Sequence, residues 1–341
     1  VEGAFGEASV CDYLMRIVPM AETADVLLGR PNLYAHLDFG KPQTIVLSAH
    51  TDTVSADDWD SDPFDPEETP DGRIAGRGSC DTKASVAAFA YTTMLAHRAK
   101  RCDYNLIFAA ICDEEVGFAG SRAARKQLKS DLVIAGEPTN NRVLTRHKGV
   151  MRFVLSADGK SCHSATPQLG KNAIYPLAKA IARLETLSKQ WAKVTDAELG
   201  SRTMSVNTIH GGQAANVIPD RAEAHVDIRS LPGDSQDDLL QEVRGHLGDT
   251  VQVNAPYLAG PPLDSNVQNS LIARLVAATG VSSTVANYAT DAAIYAESGH
   301  TAAVFGPGDI AYAHTNHEHV VFSEVEKAVS ILCEFLGVPG G

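Results

Sequence analysis

The chain has 341 residues, 44% of them hydrophobic and 21% charged, with a formal net charge of −13. That length is large for a single core, so two domains are expected. The composition is that of a globular protein, no run of about 18 apolar residues marks a membrane span, and the negative charge speaks against nucleic acid or an anionic membrane as partner.

Residues 1–6 carry neither a basic patch nor a long apolar stretch, so no signal peptide is expected. The chain starts without Met and reads as a processed, trimmed or partial product, with a missing first helix as one reading. Cys11, Cys80, Cys102, Cys112, Cys162 and Cys333 show no dense spacing and no CxxC pair, which fits a reduced, cytoplasmic setting. Cys80 and Cys112 adjoin ligand candidates and are read as packing residues, with thiolate ligation as the alternative.

In chain order, the apolar run 43–48 predicts a strand buried on both faces, ending in Ser48-Ala49-His50-Thr51-Asp52-Thr53. Gly78-Ser79-Cys80-Asp81 precedes a helix over 82–98, with Val86, Phe89, Ala90 and Met94 on one face. A strand over 104–111 runs into Asp113-Glu114-Glu115. A charged helix follows near 121–129, then a strand over 131–135 leading to Gly136-Glu137-Pro138. This alternation implies a mostly parallel sheet.

The pattern changes near Gly149. Residues 150–157 alternate as a half-exposed strand does, and a helix over 172–188 precedes strands over 203–210 and 221–229. Ser235-Gln236-Asp237-Asp238 opens another helix, and 250–254 is a last strand. The order β-α-β-β-α-β is the ferredoxin-like split unit, so an inserted domain is placed at 149–259. Residues 257–262 lead back. Residues 263–341 resume the alternation and supply His314 after Gly306-Pro307-Gly308. The catalytic domain is thus discontinuous, 1–148 and 260–341, with hinges near Lys148 and Gly260.

In an open α/β sheet, ligands bind beyond the carboxyl ends of the strands. There this chain places His50, Asp81, Glu115, Glu137 and His314, residue types suited to zinc, with cobalt or manganese as substitutes. Two such ions in a hydrolase share a bridging ligand. Asp81, short and at a helix start, is the best bridge. Asp52 is placed to accept the second ring N–H of His50. Adjacent Glu114 and Glu115 permit a division of labour, one binding metal and one acting as general base. Of His314, His317 and His319 only one need be a ligand. Each residue alone also fits a turn or a solvated acidic loop; their convergence points to a two-metal hydrolase.

The segments 48–54, 76–83, 113–117, 136–139 and 212–219, with Ala313-His314, resemble the zinc-dependent family of acetylornithine deacetylase, succinyl-diaminopimelate desuccinylase, glutamate carboxypeptidase and aminoacylase. The resemblance implies an α/β di-zinc exopeptidase-like domain with a mostly parallel mixed sheet, plus a ferredoxin-like lid and dimerisation domain. It implies two Zn2+ ions, one on His50 and Glu137 and one on Glu115 and His314, with Asp81 bridging, Glu114 as general base and Asp52 as partner of His50. Glu at position 137 goes with deacylases and carboxypeptidases.

The lid segment 161–167 implies that His163 stabilises the oxyanion, in dimeric members from the neighbouring subunit. Arg229 matches a carboxylate-binding Arg. Asn216 is a candidate donor to that carboxylate or to the scissile carbonyl, or a turn cap. Lys148 meets a substrate anion or the hinge backbone. Asn287-Tyr288-Ala289-Thr290-Asp291-Ala292 resembles a segment of acetylornithine deacetylase and makes Thr290 a substrate-binding candidate. Asp291 stands there in place of Glu, and Ala289 in place of a frequent Cys.

The expected activity is hydrolysis of the amide bond of an N-acyl amino acid. A dipeptidase or glutamate-type carboxypeptidase is the alternative, and an inactive metal- or metabolite-binding relative the remote one. A homodimer through the lid's exposed edge strand is expected.

Overall fold

A computed structural model describes residues 6–57, 59 and 62–339; the reading of residues 1–5 lies outside them. The chain forms two compact units. One comprises Val1–Thr145, Asp264–Val285 and Thr290–Gly341; the other comprises Arg146–Leu263 and Ala286–Ala289.

The first unit is built on a nine-stranded sheet. From one edge the strands run Ala21–Leu27, Arg30–Leu37, Asn105–Ile111, Thr44–His50, Leu132–Gly136, Ala302–Val304, Leu144–His147 and Leu263–Asp264, and Thr284–Ala286 also pairs with Leu144–His147. The four strands from Asn105–Ile111 to Ala302–Val304 are mutually parallel. Their flanks are antiparallel. The mostly parallel expectation therefore holds only at the centre.

The hairpin Ala21–Leu37 is what the sequence reading lacked. Ala21–Leu27 is an edge strand, half-buried or exposed throughout, so it carries no apolar run. A tight turn with Gly29 at φ +71° suffices to reverse it. The central strands are buried almost end to end because helices cover both faces. Leu47, Phe108, Leu132 and Phe305 lie in the main core with Phe89 and Leu332. Each such side chain contributes about 1.5–3 kcal/mol of burial.

Helix Lys83–Ala99 buries Val86, Phe89 and Ala90 as the spacing predicts, while Met94 is only half-buried. Its basic last turn, His97 and Arg98, suits the negative helix end. Lys100 stops it in a left-handed conformation.

In the second unit the sheet order is Thr203–Gly211, Arg221–Ser230, Gly149–Asp158, Gln252–Val253, all antiparallel, with Leu258–Gly260 also on Gly149–Asp158. Helices Ile174–Trp191 and Gln236–Leu247 complete the β-α-β-β-α-β order. Phe153, Leu155, Leu177, Leu184, Trp191, Val226 and Val243 form its separate core. Ser235 caps the second helix by accepting from the Asp238 N–H at 3.2 Å.

The predicted last strand is shorter than expected, because Gly248–Thr250 forms a 3-10 turn first. The unit also extends beyond the expected 149–259. Gly260 pairs with Val150, and the Lys148 N–H donates to the Ala286 carbonyl at 3.2 Å, which draws in 146–148, 260–263 and 286–289.

Candidate metal centre

Three neighbouring parallel strands end at one height: His50 lies opposite Ile111, and Ala49 opposite Gly136. The chain that leaves each strand therefore delivers His50, then Asp113-Glu114-Glu115, then Glu137 to a single rim. Close packing holds Glu137 there. A Cβ on Gly136 would fall 2.7 Å from Ser85 Cβ and 2.9 Å from Ala49 Cβ. Helix Lys83–Ala99 thus reaches its neighbouring strand only because residue 136 has no side chain. Asp81 arrives from the loop before that helix, and His314 from the loop after Ala302–Val304.

The geometry is specific. His50 Nε2 lies 3.0 Å from Asp81 Oδ1. His314 Nε2 lies 3.1 Å from Asp81 Oδ2 and 3.0 Å from Glu115 Oε1. The two oxygens of Asp81 thus face two different histidines. His50 Nδ1 faces the Asp52 carbonyl oxygen at 3.0 Å. Both ring nitrogens of His50 therefore look at acceptors, yet a neutral imidazole has one N–H. Such a ring must carry a second proton or share a cation with the carboxylate.

The electrostatics agree. Burial opposes charge on His50, but hydrogen bonds to Asp52 and Asp81 and the charges of Glu137 and Glu114 drive its pKa well above the usual value. Hydrogen bonds that its ring donates to Asp81 and Glu115 push His314 up to about 10. Burial and then the charge of Glu137 raise Glu114; burial and then the charge of Asp81 raise Glu137. Burial also acts against the Asp81 carboxylate, but the two histidines hold it well below the usual range. Protons here stand where positive charge is needed, because a buried excess of carboxylates is costly without it. His50, Asp81 and Glu115 offer ligand atoms all within 4.8 Å of one another, as do His50, Glu114 and Glu137. The residues fit a pair of divalent cations bound by nitrogen and oxygen.

The Asp52 carboxylate has partners besides His50. Its Oδ1 and Oδ2 accept the N–H groups of Glu114 and Glu115, each at 3.1 Å, and Oδ1 is 3.5 Å from His50 Nδ1. The nearer partner of His50 is the Asp52 backbone. The turn at Asp113, left-handed at φ +67°, aims those two N–H groups. Arg30 supports the turn from behind, donating to Asp113 Oδ1 at 2.6 Å, with Nη2 3.7 Å from Asp52 Oδ2.

Cys80 and Cys112 are buried thiols, Cys112 pushed up to about 12 by burial. Two functional candidates escaped the sequence reading. Asp291 is a buried carboxyl, raised by burial to about 7, with Oδ1 unpartnered and a charge felt by Glu114 and Glu137. Glu318, four residues past His314, is fully buried behind Asp81. For Asp291 the signal was its place in the segment 287–292, at the start of an apolar helix; for Glu318 it was an acid set among the histidines that follow His314.

The remaining candidates are placed as follows. Thr290 is buried and caps helix Asp291–Glu297, its hydroxyl accepting from the Ala292 N–H. In the second unit, His163 is exposed on a short strand pairing with Val217–Ile218 and accepts from the Ala165 N–H through Nδ1. Asn216 is exposed, its carbonyl accepting from the Ser164 N–H. Arg229 donates to Asp227 on its own strand, at 2.8 Å through Nε. Lys148 Nζ donates to the Ser201 carbonyl at 2.6 Å.

Residues 46–337 match the Peptidase family M20/M25/M40. The chain belongs to this family. A Peptidase M20 domain-containing protein of Schizosaccharomyces pombe is 33% identical over 309 residues, which cover 88% of this chain and 70% of that protein. An acetylornithine deacetylase of Vibrio vulnificus is 32% identical over 331 residues, covering 91% and 85%. The M20 family metallo-carboxypeptidase Sso-CP2 of Sulfolobus solfataricus superposes with a TM-score of 0.83 at 20% identity, over 98% of this chain and 94% of that one; the two share a fold. As an M20 member the chain is a metallopeptidase-family hydrolase of amide bonds. Among the described residues no helix is long and apolar enough to cross a membrane.

Proposed function

We propose that this chain removes the acyl group from an N-acyl amino acid, using two zinc ions. The observation that carries the reading is the Asp81 carboxylate, one oxygen on His50 and the other on His314. His50 and Glu137 would hold one ion, Glu115 and His314 the other, and Asp81 both. Bound there, the ions supply Lewis acidity toward water and the scissile carbonyl. Glu114, half-buried on the same rim with its pKa raised, takes a proton from the attacking water and returns it to the leaving amine nitrogen. The products are a carboxylic acid and a free amino acid. Asp52 orients this base by holding the backbone of Glu114 and Glu115.

His163 as oxyanion partner, Arg229 and Lys148 as the cationic pair for the substrate carboxylate, and Asn216 and Thr290 as further contacts belong to the same proposal. So do a cytoplasmic setting, supported by six free thiols, and a homodimer along the exposed edge strand Thr203–Gly211. The deacylase reading is supported by the likeness to the Vibrio vulnificus acetylornithine deacetylase. The test is amine release from N-acetyl amino acids, N-succinyl amino acids and dipeptides, with zinc-loaded and chelated protein. Zinc-dependent release from an N-acyl class supports the proposal; release from dipeptides alone replaces it with the peptidase alternative.

A further inference from the structure

Two loops bring Asp81 and His314 together, and one buried carboxylate ties them. Glu318 is 0% exposed. Its Oε1 accepts the N–H of Cys80 at 3.0 Å and of Asp81 at 2.9 Å. Its Oε2 accepts from Arg77 Nη1 at 2.7 Å. The same Nη1 donates to the Thr315 carbonyl at 3.2 Å, and the Gly76 N–H donates to the Glu318 carbonyl at 3.1 Å. Five hydrogen bonds thus join the segment 76–81 to the segment 315–318. His314 itself sits at φ +62°, a left-handed conformation that side chains other than glycine adopt at a cost, so its loop must be held from outside.

We propose that Glu318 is a positioning residue that sets the separation of the two cations, by fixing the backbone of Asp81 and the loop of His314 as one body. The physical case rests on what its charge does. A fully buried carboxylate is retained only when strongly paired. Here the charge is matched by one guanidinium and two backbone N–H groups, one of them belonging to the bridging residue itself. Fixing the Asp81 N–H fixes the direction of the side chain whose two oxygens face His50 and His314. A neutral side chain of the same shape cannot satisfy both ends. In Glu318→Gln either an amide N–H faces the Arg77 donor or it faces the two backbone donors. Asp81 then gains freedom relative to His314, and a two-ion site needs both held.

This inference rests on the two-cation reading, and its test separates the two. Zinc chloride is titrated into wild-type protein and into Glu318→Gln in competition with a chromophoric chelator, and kcat and KM are measured at several free zinc levels. Asn105→Ala serves as a structural control, because Asn105 ties only the start of its strand to Phe39 and Lys41. The expected result is about 10- to 100-fold weaker zinc binding at one or both positions in Glu318→Gln. KM at saturating zinc should stay within about twofold, kcat should recover in part as free zinc rises, and the control should bind zinc as wild type does. Zinc affinity in folded Glu318→Gln equal to that of the control overturns the inference and leaves the metal centre standing. Wild-type protein that binds no zinc overturns the two-cation reading itself. Should Glu318→Gln not fold, Arg77→Lys decides, since a shorter ammonium then replaces the Nη1 donor that Glu318 Oε2 and the Thr315 carbonyl share, while the charge is kept; unchanged zinc affinity there also overturns the proposal.

Discussion

In the proposed mechanism Glu114 is the general base, and the surroundings that suit it to that role also crowd it. Burial and then the charge of Glu137 act against its carboxylate form, so it holds a proton more tightly than an ordinary carboxyl. Glu114→Gln keeps the volume and removes that function. Turnover should fall by about 10²- to 10⁴-fold, while zinc content, read by elemental analysis, stays at the wild-type level. Near-native turnover would remove Glu114 from the mechanism.

A second residue reports on folding alone. His147 is fully buried, and burial depresses its imidazole to about 4. An unfolded histidine titrates near 6.5. Between these values the unfolded chain takes a proton that the native chain refuses, so stability present above pH ~6.5 is lost as pH falls toward 4. The effect is at most about 3 kcal/mol. The Tm advantage of wild type over His147→Gln should shrink across that window; a constant difference would show that His147 does not titrate there.

At the scale of elements, the metal rim depends on how closely helix Lys83–Ala99 approaches strand Leu132–Gly136. Gly136→Ala forces Ser85, Ala49 or Phe89 to yield. It should cost about 1–3 kcal/mol and weaken zinc binding through the neighbouring Glu137. Thermal melts and zinc titration check both, and a variant with wild-type Tm would mean that the packing gives way freely. The strands Thr44–His50, Asn105–Ile111 and Leu132–Gly136 were legible because burial on both faces makes each a run of apolar residues. Ala21–Leu27 was not, since an edge strand that buries little leaves no such run. The helix start at Ser235 was legible for a local reason, as its cap needs only a residue three positions on.

For the whole molecule, metal and stability are linked. A ligand that binds only the folded state adds about 2.7 kcal/mol when present at 100 times its Kd. Chelation should therefore lower Tm as well as abolish amine release, and restored zinc should recover both; an unchanged Tm would argue against a site built from folded segments. Pairing of two copies along Thr203–Gly211, where Ile209 is 54% exposed, should appear as a dimer mass in sedimentation and be lost in Ile209→Lys. A monomer mass for the wild type would remove that assembly.

Which residue types follow which strands is written in the order of amino acids. His50, Glu115, Glu137 and His314 each follow an apolar run, Asp81 precedes a helix, and the order of these segments carries the family. Such features are local, set by residues a few positions apart. The partners of these residues depend on the folded chain. Nothing near Asp52 in the chain says that its carboxylate holds the N–H groups of Glu114 and Glu115, and Glu318 meets the backbone of Asp81 across 237 positions. A hydrogen bond depends on where two distant segments come to rest, and that is fixed by the packing of the core around them and by the cost of leaving a buried charge unpaired.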